Sequence, residues 1–499
     1  MDNAWDWGSR AAREGYFTLY DRVAAEHPDR KYQLDYVPLR LAVMTLWVRH
    51  ELSRHPDLKT WNADYELNQP LLLFNEAMEL AAALAVFALG RMWILRQQGR
   101  VARRSKRLLY LRPEWIAMIG FALAWLNPAS VISGHGRPTW DVWVAPFYLW
   151  AIFLACADWW FAAGALIAIG ALLKGQQLIV SLPIFILWPL IGLKFGAAGR
   201  WLTGALLTAG LIVSPWIFPI SLGPIALLSI AVLFWPVARF IWNRLPQVEP
   251  IPARWLGWPI VSTLAIGIWI VGPCFGGNFS WYEIGYKYGA QKFPELENGG
   301  ASSLASLMQN RFNWRSEMLV LQLPIGNGRL TVSELLICIF AVLLVLSIVA
   351  MRLAERKNNR VFLVAMAAPW IVYFAVCPQM HERYLLYGAI AACTAPAVGL
   401  GPTLLAIFFG LCSANMSLFQ LLNDLNSPSF LTQFSPTLGQ TLHSVTSATY
   451  PDLAWAILLA TSVWLYLAFI PKRPRAATGK PRRTREPENT GLIMDSPPT

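Results

Sequence analysis

Charge is what this 499-residue chain has least of: Asp, Glu, Lys and Arg make up 14% of it, where a soluble protein carries about a quarter. With repeated apolar runs of membrane length alongside, that deficit excludes an ordinary soluble fold. Cysteine is scarce too. The six (Cys156, Cys274, Cys338, Cys377, Cys393 and Cys412) lie in or beside apolar segments, and none forms a CxxC pair. They read as small buried hydrophobes, not a disulfide framework or a metal site. No GxGxxG, Walker A, HExxH or zinc-ligand spacing occurs, which leaves nucleotide cradling on the cytoplasmic side unsupported. The absence of a visible internal repeat weakens an inverted-repeat transporter.

What is present is apolar. Hydrophobic residues make up 56% of the chain, with 25 Trp and 15 Tyr that suit interfacial belts. The fold class expected is all-α: a polytopic transmembrane helical protein of about thirteen spans. Their centres fall near residues 83, 122, 149, 167, 185, 210, 232, 267, 342, 369, 392, 412 and 461. The runs 141–157 and 160–173 are short and joined by ADWW.

The net charge of +12 clusters between apolar segments, so it reports topology and not a nucleic-acid partner. Segment 96–112 holds Arg96, Arg100, Arg103, Arg104, Lys106, Arg107 and Arg112 with no acid. RLAERKNNR and the tail PKRPRAATGKPRRTRE are also basic, and all three are expected inside. Counting spans between them places 1–70, 132–140, the break near 174, 278–331 and CPQMHERY outside, as it does the loop 423–451. The chain thus divides into an extracytoplasmic loop, 1–70, a transmembrane domain, 71–470, and a tail, 471–499. In the first of these, PLRLAVMTLWV suits a helix lying in the interface. The Pro- and Arg-rich tail is expected to be disordered and close to anionic lipid. Placing 1–70 outside predicts a further hydrophobic helix upstream.

The polar residues on that outer side are the ones chemistry can use. Lys174, in IGALLKGQQ, sits at the outer end of one helix, with Gly175 breaking into the next. Its ammonium suits a phosphate, or it snorkels to the interface. His135, Arg137 and Asp141, in GHGRPTWD, cap a short loop. His135 with Arg137 suits an anion, and Asp141 suits a helix start. In MHERY, Arg383 offers a planar fork for phosphate oxygens and His381 a donor near neutral pH. Glu382 is expected to hold one of the basic groups. Helix positions fan out by about 100° per residue, so the three converge only if Pro378 starts a turn.

Asp2 and Asp6 are four apart and share one face of a helix, and Asp35 precedes a Tyr-Val-Pro turn. Carboxylates in an outer loop suit a general base. Asn75 and Glu79 share a face of the first span, with Glu76 beside them, where structural packing and function are both open. NGGASSLASLMQNRFNW reads as turns followed by an amphipathic helix that covers the membrane surface as a lid.

Taken in order, these stretches resemble the GT-C superfamily of membrane glycosyltransferases, in particular bacterial relatives of the GPI-anchor mannosyltransferases. LDYVPLRL is similar to a Tyr-Pro-Pro-Leu element and GHGRPTWD to an outer-loop motif ending in Asp. LLKGQQLIVSLP is similar to a Lys-Pro-Gln segment followed by Leu-Pro, GGASSLASLMQNRFNW to a late-loop signature, and MHERYLL to a His-Glu-Arg-Tyr element, the most specific of them. DYVPL and KGQ each depart by one Pro, replaced by Val and Gly. The resemblance implies a multi-pass enzyme of the bacterial inner membrane. It would move a sugar, with a mannose-like hexose favoured, from a polyprenyl-phosphate donor to a glycan, lipid or protein acceptor with inversion. Asp2 or Asp6 would be the base. Lys174, His381 and Arg383 would bind the donor phosphate, with Asp35, His135, Arg137, Asp141 and Glu382 in support. No cofactor is demanded, although aspartates near a phosphate can bind a divalent metal weakly. The alternative is a transporter or flippase for a lipid-linked glycan or organic anion.

Overall fold

The computed structural model describes residues 2–26, 34–61, 64–101, 112–136, 138–191, 280–288, 295–297, 299–322, 329–423 and 435–469. The expected spans near 210, 232 and 267, the tail from 471, Arg137 and the side chain of Asp2 lie outside what is described.

The chain is mostly helical. Three helices precede the first span: α1 (Asp2–Glu14), α2 (Tyr16–Glu26) and α3 (Pro38–Arg54). Pro38 opens α3 at its first position, where its missing N–H leaves no bond unmade. Trp5 and Trp47 lock α1 onto α3 edge to face at 5.3 Å. The 11-residue run PLRLAVMTLWV therefore lies inside a packed 17-residue helix.

Four described helices are long and apolar enough to cross a bilayer: Tyr65–Gln97, Pro113–Gly136, Val332–Arg356 and Leu400–Asn423. A fifth arises if the bent pair Pro436–Thr449 and Leu453–Phe469 counts as one span. In order, the elements are α4 (Tyr65–Val101), α5 (Pro113–Trp125), α6 (Pro128–Val131), a π turn at Ile132–Gly136 and a 3-10 turn at Trp140–Trp143. Then come α7 (Val144–Cys156), α8 (Trp160–Leu173) and α9 (Gln176–Leu190). Beyond the segment 280–288 lie α10 (Leu304–Phe312), a hairpin of β1 (Leu319–Gln322) and β2 (Arg329–Thr331), and α11 (Val332–Arg356). The last are α12 (Val361–Val376), α13 (Leu385–Ala392), α14 (Leu400–Asn423), α15 (Pro436–Thr449) and α16 (Leu453–Phe469).

Spans were expected near 149, 167, 185 and 369, and apolar helices of 10–17 residues stand there. Near 392 stands α13, only eight residues long. At 1.5 Å per residue that is about 12 Å, short of a bilayer. All sixteen residues of α12 and all eight of α13 are buried. A helix apolar on every side belongs inside other helices, and α12 packs against α11, α13 and α16. The outer helices instead expose apolar stripes at helical spacing: Leu400, Leu404, Ile407 and Leu411 on α14, and Trp455, Leu459, Val463 and Tyr466 on α16. Stripes of that kind are compatible with a lipid environment.

Candidate functional site

Three breaks in helical structure carry the charged residues. The first is the junction of α8 and α9. Lys174 caps α8 in an extended conformation and Gly175 turns the chain, so α9 starts at Gln176. The second is the 3-10 turn at Trp140–Trp143, which puts Asp141 at the start of α7. The third follows α12. Pro378 and Gln379, the latter at φ +60°, end the helix, and a 3-10 turn over Glu382–Tyr384 leads into α13. Where a regular helix would fan His381, Glu382 and Arg383 apart, this turn leaves His381 and Arg383 on the same cavity wall.

These breaks meet at one carboxylate. Lys174 Nζ donates to Asp141 Oδ1 at 2.8 Å, and Arg383 Nε lies 2.7 Å from Asp141 Oδ2. The Tyr387 hydroxyl donates to the same carboxylate. Arg383 Nη1 also donates to Glu382 Oε1 at 3.1 Å. Asp141, Lys174 and Glu382 are all buried. Buried charges stand only when paired and hydrogen-bonded, and here two cations share one carboxylate while Glu382 supports the second of them. Tyr384 roofs the cluster: Lys174 Nζ lies 5.1 Å from its ring centre, and Gln176 Nε2 donates to its hydroxyl at 3.2 Å.

The cluster forms one end of a cavity of about 1000 Å³. Lys174, Gln176, His381, Arg383 and Tyr384 line it from the core, and Asp35, Tyr36 and Arg40 from the start of α3 and the residues before it. Arg40 stacks on the Tyr36 ring at 4.0 Å, and among the described residues its buried Nε makes no hydrogen bond. The Tyr20 hydroxyl donates to the Tyr36 carbonyl at 2.5 Å and fixes this stretch. Burial pushes the Tyr36 phenol up from its ordinary value and pulls the His381 imidazole below its own. That shift favours the neutral imidazole. The far end of the cavity is apolar. Ile337, Phe340, Ala341, Leu344 and Val345 of α11 face Ile179, Pro183 and Leu187 of α9. Spacings of three, four and seven on α11 and of four and eight on α9 are one face of each helix.

The stretch that holds Leu296, Glu297 and Gly299 backs the third break. Gln379 N donates to the Leu296 carbonyl at 2.7 Å, and Glu297 bridges Met380. Gly299 has φ +64°, and a Cβ there would stand 2.8 Å from both His381 Nδ1 and Glu382 Oε2. Gly299, the first glycine in NGGASS, is therefore what lets this stretch lie against the turn. Beside the first break, the Tyr286 hydroxyl donates to the Ala171 carbonyl at 3.0 Å, and Tyr282 and Tyr286 both line the cavity.

The structure brings Lys174, Asp141, Glu382, Arg383, His381 and Asp35 together in or just behind this wall. Asp6 is not in the lining; it pairs with Arg10 on the surface of α1, Oδ2 to Nη2 at 3.2 Å. His135, read with Arg137 as suited to an anion, faces two carboxylates, Glu76 and Glu79. Asp141, at the head of α7 as expected, also takes both cations. The sequence reading did not single out Arg40, Gln176, Tyr384 or Tyr387. A signal for Arg40 existed: a lone cation within the apolar run PLRLAVMTLW, five residues after Asp35.

Comparison with family models returns no match for this chain, and comparison with curated proteins returns none either.

Proposed function

We propose that the cavity binds a polyprenyl-phosphate sugar and that the protein is an inverting hexosyltransferase of the GT-C kind. The observation that carries this reading is the polarity of this cavity. One end offers Lys174, Arg383, Arg40 and His381 together with a carboxylate, Asp35, and the other end is an apolar groove between two helices. A ligand with an anionic head and a long hydrocarbon tail matches both ends. Ile179, Ile337 and Val345 are exposed along the groove, which suits a tail entering sideways from lipid. The resemblance of MHERYLL, LLKGQQLIVSLP and GHGRPTWD to that superfamily supports the same reading, as do the basic segments expected on the opposite face. The full count of about thirteen spans, a bacterial inner-membrane location and a mannose-like donor belong to this proposal.

The chemistry follows from the residues. The acceptor oxygen attacks C1 of the sugar as the bond from C1 to the phosphate oxygen breaks, through an oxocarbenium-like state. The acceptor proton passes to a carboxylate, and polyprenyl phosphate leaves with the bonding pair. Cations around that phosphate stabilise the charge that grows on it. Asp141 does not fit the base, because Lys174, Arg383 and Tyr387 occupy it. Asp35 lines the cavity and is our assignment for the base, ahead of Asp6 and Asp2.

Substitutions test these roles. With a radiolabelled prenyl-phosphate sugar, R383A, K174A and D35N should lose transfer by about 100-fold or more, while each protein still inserts. D6N and D2N should stay active. Full activity in R383A and K174A would remove the phosphate site, and full activity in D35N would move the base to Asp2 or Asp6. The helix break at Lys174–Gly175 also suits a transporter; that reading predicts donor movement across the bilayer with the sugar bond intact.

A further inference from the structure

A second cluster of ionisable side chains stands apart from the cavity. Glu76 and Glu79 of α4 meet His135 of the π turn, with one ligand atom from each within 4.8 Å of the others. His135 Nε2 lies 3.3 Å from Glu76 Oε2 and 3.6 Å from Glu79 Oε2. Bonds of about 2.0–2.2 Å to a small tetrahedral ion set neighbouring ligands about 3.4 Å apart, so these spacings suit an ion between them. None of the three residues lines the cavity.

Glu79 is the second, independent observation. It is 4% exposed, and among the described residues its Oε1 accepts no hydrogen bond. The buried Nε2 of His135 likewise makes none among them. Glu79 Oε2 has only the His135 imidazole among them, at 3.6 Å, so this buried carboxylate is half satisfied and has room for a cation. The surroundings keep it in place. A Cβ at Gly134 would sit 2.0 Å from Glu79 Oε1, so glycine is required there. Asn75 Nδ2 donates to the Gly134 carbonyl at 2.8 Å, and Trp143 Nε1 donates to Asn75 Oδ1 at 2.7 Å. The turn carrying His135 is thus fixed by neighbours that do not themselves contact an ion, as ligating residues in metal sites commonly are.

We propose that Glu76, Glu79 and His135 form a divalent metal site of the Zn²⁺ class, with a fourth position for water. One imidazole and two carboxylates suit Zn²⁺ or Co²⁺, whereas Ca²⁺ takes six or more oxygens and Mg²⁺ a near-ideal octahedron. The ion clamps α4 to the turn that delivers Asp141, six residues past His135. It therefore acts on the architecture of the cationic cluster without touching the reacting sugar.

The test uses the full chain in nanodiscs, stripped with chelator and titrated with Co²⁺ and then Zn²⁺. The expected result is one equivalent of Co²⁺ with visible d–d absorption, displaced by Zn²⁺, and a melting temperature that rises with Zn²⁺. H135A and E79Q should each bind at least about ten-fold more weakly. E76Q keeps the size of a part-exposed side chain, so it should fold normally and bind about ten-fold more weakly too. No Co²⁺ binding by the wild type, or equal affinity in the wild type and E76Q, would show a plain imidazole–carboxylate network and overturn the site. Neither readout depends on sugar transfer.

Discussion

Asp141 is the residue on which the cluster turns. Two cations and a phenol converge on its carboxylate. Removing its charge leaves Lys174 and Arg383 without their shared partner, and an uncompensated buried charge costs about 3–5 kcal/mol. D141N should therefore destabilise the protein by that amount, seen as a drop in melting temperature even without ligand, whereas R383A should lose transfer more than stability. His381 gives a second prediction. Burial lowers its folded-state pKa from the ordinary 6.5, so the folded protein binds fewer protons than the unfolded chain between those values. Its contribution to stability is complete above about 6.5 and is lost as pH falls through the lowered value. Melting temperature should fall on acidification in the wild type, and H381Q should flatten that part of the curve.

At the scale of elements, the site exists because helices stop. Lys174 points inward because α8 ends there and Gly175 follows, and Arg383 does so because a 3-10 turn precedes α13. Gly299 holds the loop that braces this turn. G299A places a side chain at φ +64° and 2.8 Å from His381 Nδ1, a conformation costing on the order of 1–3 kcal/mol. It should lower both melting temperature and donor affinity. The groove between α9 and α11 makes a different prediction. L344W fills it with an apolar side chain, so KM should rise several-fold for long prenyl donors and much less for short ones, with kcat kept. A loss of kcat alone would argue against a tail in the groove.

The breaks at Gly175 and Pro378 were legible because Gly and Pro punctuate apolar runs, and MHERY and Lys174 stood out as charges in a chain poor in them. What was not legible is spatial. Nothing in the spacing of Asp141, Lys174 and Arg383 says that one carboxylate takes both cations, because that pairing is made by tertiary packing of α7, α8 and α13. The same holds for Arg40, which reaches the cavity only because α3 folds back over α8. The run near 392 read as a span because α13 and the following 3-10 turn are apolar throughout, and hydropathy does not distinguish a buried break from a lipid-facing helix.

At the scale of the molecule, the account requires the cavity and the basic segments to lie on opposite faces of a membrane. In a background lacking Cys274 and Cys338, a membrane-impermeant thiol reagent should label E317C in intact cells and K357C only after permeabilisation. The most direct measurement is product analysis. Purified protein in nanodiscs receives a defined, anomerically pure polyprenyl-phosphate mannose and a hydroxyl acceptor, and NMR reads the anomeric configuration of the glycoside formed. The account predicts free polyprenyl phosphate and a glycoside of inverted configuration, both absent with R383A. Intact donor recovered throughout, or a glycoside of retained configuration, would contradict it.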